Sequence, residues 1–97
     1  MIAAKSTLKN FERVVPAEAT IAQVVGNEIV LLNLDSGFYY SLNSVGAFIW
    51  RHLESGAGIA GLEDRISAEY EVSRDQAKAD LDEFIEELRE HGLVEAA

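Results

Sequence analysis

Hydrophobic positions along this chain follow two periods, and the change between them falls at residue 43. Before it, short β-branched or aliphatic runs alternate with turn residues. Thr20-Ile21-Ala22-Gln23-Val24-Val25 reads as a strand, Gly26-Asn27 as a turn, and Glu28-Ile29-Val30-Leu31-Leu32-Asn33-Leu34 as a second strand. Asp35-Ser36-Gly37 gives another turn and Phe38–Leu42 a third strand. Two tight connections imply an antiparallel meander. After residue 43 the period becomes helical. Asn43 is a good N-cap, and Val45, Phe48, Ile49, His52 and Leu53 fall on one stripe. Glu54 to Gly58 ends that helix, and Ile59, Leu62, Ile66 and Tyr70 form a shorter stripe. Ser73 caps a third helix with Gln76 at the capping-box position. The stripe of that helix is Ala77, Leu81, Phe84, Ile85 and Leu88, and Gly92 stops it. Leu93-Val94 then folds back onto the core. The expected architecture is α+β: a three-stranded antiparallel sheet followed by three helices, winged-helix-like, over residues 19–97. Residues 1–18 read as an N-terminal arm with an early strand near Phe11–Val15, punctuated by Pro16.

Composition narrows the function classes. With 48% hydrophobic and 26% charged residues in a chain of 97, the pattern is that of one globular domain. There is no cysteine, which excludes disulfides, thiol nucleophiles and cysteine-ligated zinc, and suits a reducing, cytoplasmic location. Lys5, Lys9, Asn10, Glu12 and Arg13 interrupt any signal-peptide core, and no run reaches a membrane span of roughly 20 apolar residues. The net charge of −9 is carried by residues 35–97, because Lys5, Lys9 and Arg13 balance Glu12, Glu18 and Glu28. A field of that sign repels phosphate backbones and anionic membranes and favours a partner with basic residues.

Candidate chemistry is sparse. Gly56-Ala57-Gly58-Ile59-Ala60-Gly61 matches G-x-G-x-x-G, but that motif works between a strand and a helix, and here a helix precedes it. It reads as a helix cap and turn. Glu87 and His91 are spaced i, i+4, yet no third metal ligand stands near them at helical spacing. His52 lies on an apolar stripe and reads as a core histidine. No G-x-S-x-G elbow or triad is present. The expectations are therefore no enzyme, no metal and no cofactor. A winged-helix DNA reader needs a basic recognition helix, whereas the last helix carries seven acids against Arg74, Lys78 and Arg89.

What remains is a sticky edge. Alternation sends Phe38, Tyr40 and Leu42 to one face of the third strand and Tyr39 and Ser41 to the other. The third strand of a meander is an edge, and an edge accepts a further strand from another chain. A dimerisation module would use the same edge on itself.

Val30-Leu31-Leu32-Asn33-Leu34, Gly37-Phe38-Tyr39-Tyr40-Ser41-Leu42-Asn43, Gly46-Ala47-Phe48-Ile49-Trp50, Asp80 with Phe84, and Leu88-Arg89-Glu90-His91-Gly92-Leu93-Val94 occur in that order. In these elements, from about Thr20 to Val94, the chain resembles the PqqD-like family of precursor-peptide recognition elements. The resemblance implies the same strands and helices, and a precursor leader peptide bound as an extra antiparallel strand on the third strand. It implies a groove between Gly37, Phe38, Tyr39, Tyr40, Ser41 and Leu42 and the side of the last helix that carries Lys78, Leu81, Asp82, Ile85 and Arg89. Lys78, Asp82, Ile85 and Arg89 share one flank of that helix, within about 60° of one another; Asp80, Glu87 and His91 mark the opposite one. The Tyr-Tyr-x-Leu-Asn…Ile-Trp version looks like the lasso-peptide leader-binding proteins, which serve a separate leader peptidase and cyclase. The Pro-Glu pair expected of the quinone-cofactor version, which serves a radical enzyme, is missing. A free-standing, monomeric recognition protein is the implied form.

Overall fold

The computed structural model describes residues 14–26, 28–56, 59 and 61–96. Its elements are β1 (Val14–Pro16), β2 (Thr20–Val25), β3 (Glu28–Asn33), β4 (Tyr39–Leu42), α1 (Ser44–Glu54), α2 (Leu62–Tyr70), α3 (Arg74–Glu90) and β5 (Val94–Ala96). The three central strands form one antiparallel sheet in the order β2-β3-β4, and the three helices follow them, as the two periods predict. The third strand starts one residue later than predicted. Phe38 belongs to the turn that Gly37 opens with φ +77, a left-handed conformation that glycine adopts without a Cβ penalty. Likewise Leu34 leaves the second strand and lies exposed in that turn.

One face of the sheet meets the helices. Ile29, Leu31 and Leu42 are buried there with Ile49, Trp50 and Leu53 of α1, Leu62 and Ile66 of α2, and Ala77, Leu81, Ile85 and Leu88 of α3. The other face is open. Ile21, Leu32 and Tyr39 stand opposite one another across the three strands, with Ile21 47% and Tyr39 70% exposed.

Capping sets the helix boundaries. Asn43 Oδ1 accepts from Gly46 N–H at 2.8 Å and Ser73 Oγ from Gln76 N–H at 3.1 Å. The expected reciprocal half of the Ser73 box is absent, because the Gln76 amide reaches forward to Asp80 at 2.9 Å instead. α2 starts after Gly61, whose φ of +79 opens the turn; helix α1 stands before the glycine-rich stretch, where a dinucleotide motif would need a strand. Ala57, Gly58 and Ala60 lie outside the described residues.

The buried stripe of α1 is rotated from the predicted one. Gly46, Ala47, Ile49, Trp50 and Leu53 are buried, while Val45, Phe48 and His52 are half-buried. The physical reason is that Trp50 satisfies its indole N–H on Glu54 at 3.0 Å, one turn along, and so the whole ring enters the core. Phe48 instead packs edge-on against Tyr70.

A second, two-stranded sheet joins the start of the described chain to its end. Val14, Val15 and Pro16 pair with Ala96, Glu95 and Val94. Of the strand expected near Phe11–Val15, Phe11 to Arg13 lie outside the described residues, and the described strand runs from Val14 to Pro16. Val14 is buried, so the last residues of the segment read as an arm are packed into the fold.

Candidate functional site

The edge strand β4 presents a definite set of backbone groups. Asn33 N–H donates to the Phe38 carbonyl at 3.0 Å, so the Asn33 and Phe38 positions form a hydrogen-bonded pair. In an antiparallel ladder such pairs alternate with non-bonded ones. The register places Leu32 opposite Tyr39, Leu31 opposite Tyr40, Val30 opposite Ser41 and Ile29 opposite Leu42. Tyr40 and Leu42 therefore spend their backbone groups on β3, and Tyr39 and Ser41 turn theirs outward. The edge offers two N–H donors and two carbonyl acceptors, and among the described residues no strand pairs with it.

Side chains from α3 wall this edge on the helix side. Phe38 stacks on His91 with ring centroids 4.0 Å apart and planes 10° from parallel. The Tyr40 hydroxyl donates to Glu87 Oε1, and its ring lies 6.4 Å from that of Phe84 and 6.2 Å from that of His91. Burial pushes the Tyr40 phenol up to about 12; the Glu87 hydrogen bond and the charges of Glu87 and Glu83 push the same way, because each disfavours a phenolate. Beyond the C-terminal end of β4, Asn43, Val45, Gly46, Ile49, Asp80 and Phe84 line a depression of about 280 Å³. Gly46 is closely packed there: a Cβ on it would lie 3.3 Å from both Asn43 Oδ1 and the Phe84 ring, so that one of them would have to give by a few tenths of an ångström. A second depression, at the opposite end, is lined by Asn33, Ser36, Phe38, Glu90, His91 and Gly92.

The structure separates the eleven predicted site residues into three groups. Gly37, Phe38, Tyr39, Tyr40 and Ser41 lie along the β4 edge and its turn. Leu42, Leu81 and Ile85 are at most 3% exposed and are core, not groove lining. Lys78, Asp82 and Arg89 are exposed, with Lys78 paired to Asp82 at 3.1 Å and Arg89 to Glu86 at 3.7 Å. The flank of α3 expected to face the third strand, with Lys78, Asp82 and Arg89, is not the one that touches β4 and its turn. At about 100° per residue, the centre of Lys78, Asp82 and Arg89 lies about 170° around the helix from that of Asp80, Phe84, Glu87 and His91. The second set is the one whose members reach Phe38, Tyr40 and Gly46. Phe84 was assigned to the core stripe, yet it is half-buried and shared between core and groove. Its packing against the closely approached Gly46 is a signal that the period alone does not carry.

The groove wall is acidic, with Asp80, Glu83, Glu87 and Glu90 spaced along one side of α3. Among the described residues no three His, Asp or Glu side chains are gathered as a metal site requires. Among the described residues no helix is long and apolar enough to cross a membrane.

Comparisons with known proteins bear on this geometry. Residues 28–94 match the family model described as coenzyme PQQ synthesis protein D (PqqD). Among solved structures, TbiB1 in complex with the TbiA(beta) leader peptide is similar at 35% identity and a TM-score of 0.78, covering 86% of this chain and 96% of that one. A lasso peptide synthetase B1 complexed with its leader peptide is similar at 28% identity and a TM-score of 0.79, covering 86% of this chain and 98% of that one. No curated protein matches. A match spanning β3 to the start of β5, together with likeness over nearly the whole length of two solved relatives, makes this chain a member of the PqqD family.

Proposed function

We propose that this protein binds the leader segment of a ribosomally synthesised precursor peptide as an added antiparallel strand on β4, and presents it to separate processing enzymes of the lasso type, a leader peptidase and a cyclase. The observation that carries the reading is the free β4 edge beside the Phe84–Glu87–His91 wall of α3. Main-chain bonds from Tyr39 and Ser41 supply affinity without regard to sequence, and the depressions at the two ends of the strand supply side-chain preference. Two solved relatives that carry leader peptides support the choice of ligand. The acidic wall favours leaders with basic residues near the strand. The protein acts without turnover of its own: its groove has carboxylates, a phenol engaged by Glu87 and a histidine stacked on Phe38, with no nucleophile joined to a base.

The family's other role, holding a peptide for a radical enzyme of cofactor synthesis, is favoured by the description of the matching family model. Both readings use the same edge and differ in the peptide. Titration calorimetry with precursor leader peptides, beginning with the TbiA(beta) leader bound by the relative at 35% identity, tests the proposal. Saturable one-to-one binding that survives chelator and is lost when the leader is deleted from the precursor is the expected result. Binding to the core segment alone, or none to the leader, refutes it.

A further inference from the structure

Asn33 is buried to 8% exposure and is the only polar residue in the buried set among the described residues. It occupies the last position of β3, and both its side-chain oxygen and its side-chain nitrogen are hydrogen-bonded across one junction. Its Oδ1 accepts from Asp35 N–H at 2.9 Å and Ser36 N–H at 3.3 Å, which shapes the turn leading into β4. Its carbonyl accepts from Gly37 N–H at 2.7 Å. Its Nδ2 donates to the carbonyl of His91, the residue that ends α3, at 2.8 Å. On the far side Gly92 packs so closely that a Cβ there would lie 3.0 Å from that nitrogen, and its φ of +70 favours glycine in any case.

From this we infer that Asn33 is a positioning residue for peptide capture, one that bolts the β3–β4 turn to the end of α3 and thereby sets the width of the groove; the inference rests on the peptide-recognition reading. A side chain with only an acceptor shapes the turn but leaves α3 unattached, and one with only a donor does the reverse. The amide does both. The Phe38–His91 stack sits between the two bolted parts, so its 4.0 Å spacing reports whether the bolt is closed. A groove held at its bound width before the peptide arrives loses less freedom on binding.

Asn33→Asp is the sharpest test, since it keeps the acceptor for the turn and sets a carboxylate against the His91 carbonyl. Gly92→Ala strains the same bolt from the other side. The comparison variant is Leu62→Ala, a core truncation in α2. The probe is the fluorescein-labelled TbiA(beta) leader peptide, followed by anisotropy well below each melting temperature. Both bolt variants should bind about tenfold more weakly, the scale of one lost buried hydrogen bond, chiefly through faster dissociation. The His91 ring protons should also lose the upfield NMR shift that stacking on Phe38 imposes. Leu62→Ala should lower the melting temperature while binding within about twofold of wild type and keeping that shift. Wild-type affinity in Asn33→Asp with the His91 shift gone overturns the inference, as does an equal loss of affinity in Leu62→Ala. Failure of the unmodified protein to bind the leader refutes the recognition reading instead, and the inference with it.

Discussion

Proline at Ser41 separates an edge that recruits a strand from one that is merely exposed. Ser41 lies opposite Val30 at a non-hydrogen-bonded position, so its N–H points away from β3. Proline removes that donor and leaves the β3–β4 ladder complete. The residue before it, Tyr40, is already extended in β4, which is the conformation a following proline imposes. The fold should therefore survive. An incoming leader strand would lose one N–H···O bond, worth about 0.5–1.5 kcal/mol, and the pyrrolidine ring would crowd its approach. A total near 1–2 kcal/mol corresponds to a dissociation constant raised about 5- to 30-fold. Tyr39→Pro should behave alike, for Tyr39 also turns its N–H outward. Tyr40→Pro is the internal contrast: its N–H serves β3, so that variant should unfold or melt far earlier. Calorimetry gives the affinity, and far-ultraviolet circular dichroism confirms the fold. A folded Ser41→Pro protein that binds the leader as tightly as wild type would show that no strand adds to this edge.

Further outcomes follow from the same geometry. Phe84→Ala removes the wall shared by Tyr40 and Gly46 and should weaken leader binding by at least about 1 kcal/mol in the same calorimetric assay. Charge reversal should distinguish the two flanks of α3: Asp80→Lys slows leader association and alters its salt dependence in stopped-flow traces, whereas Asp82→Lys, on the far side, leaves both unchanged. Since the folded protein holds the Tyr40 phenol up at about 12 against 10.0, its contribution to stability is complete below pH 10 and lost as pH rises from 10 to 12. Denaturant melts across that range should show wild type losing stability relative to Tyr40→Phe, and a constant difference would refute the assignment. Ser73→Ala should cost about 1 kcal/mol in denaturant melts by uncapping α3.

Local pattern was enough for the strands, the helices and most of the core, because period and caps are properties of neighbouring residues. Ser73, Asn43 and Gly92 mark helix ends through bonds spanning a few positions. What escaped the sequence is set by contacts across the fold. The faces of α3 on either side of its apolar stripe are both charged, so periodicity does not say which one turns to β4. That choice is made by the fit of Phe84 onto Gly46 and of His91 onto Phe38. Trp50 falls outside the stripe that period assigns to α1, yet a carboxylate four residues on satisfies its indole and lets it be buried. A strand near Val15 and the return of Val94 to the core were legible locally, but the pairing of β1 with β5, about eighty positions apart, was not.

The pairing of β1 with β5 means that the described fold is entered and left at one place. A carrier protein, a tag or a catalytic domain joined at either end would emerge beside the same short sheet, and a short loop between Val14 and Ala96 would turn the domain into a closed ring of elements. Such a unit is suited to transplantation as a cassette into a surface loop of a host enzyme, or to circular permutation with new ends cut elsewhere. The β2-β3-β4 sheet and its free edge are built from other strands, so a graft at the β1–β5 clasp leaves their hydrogen-bonded register intact.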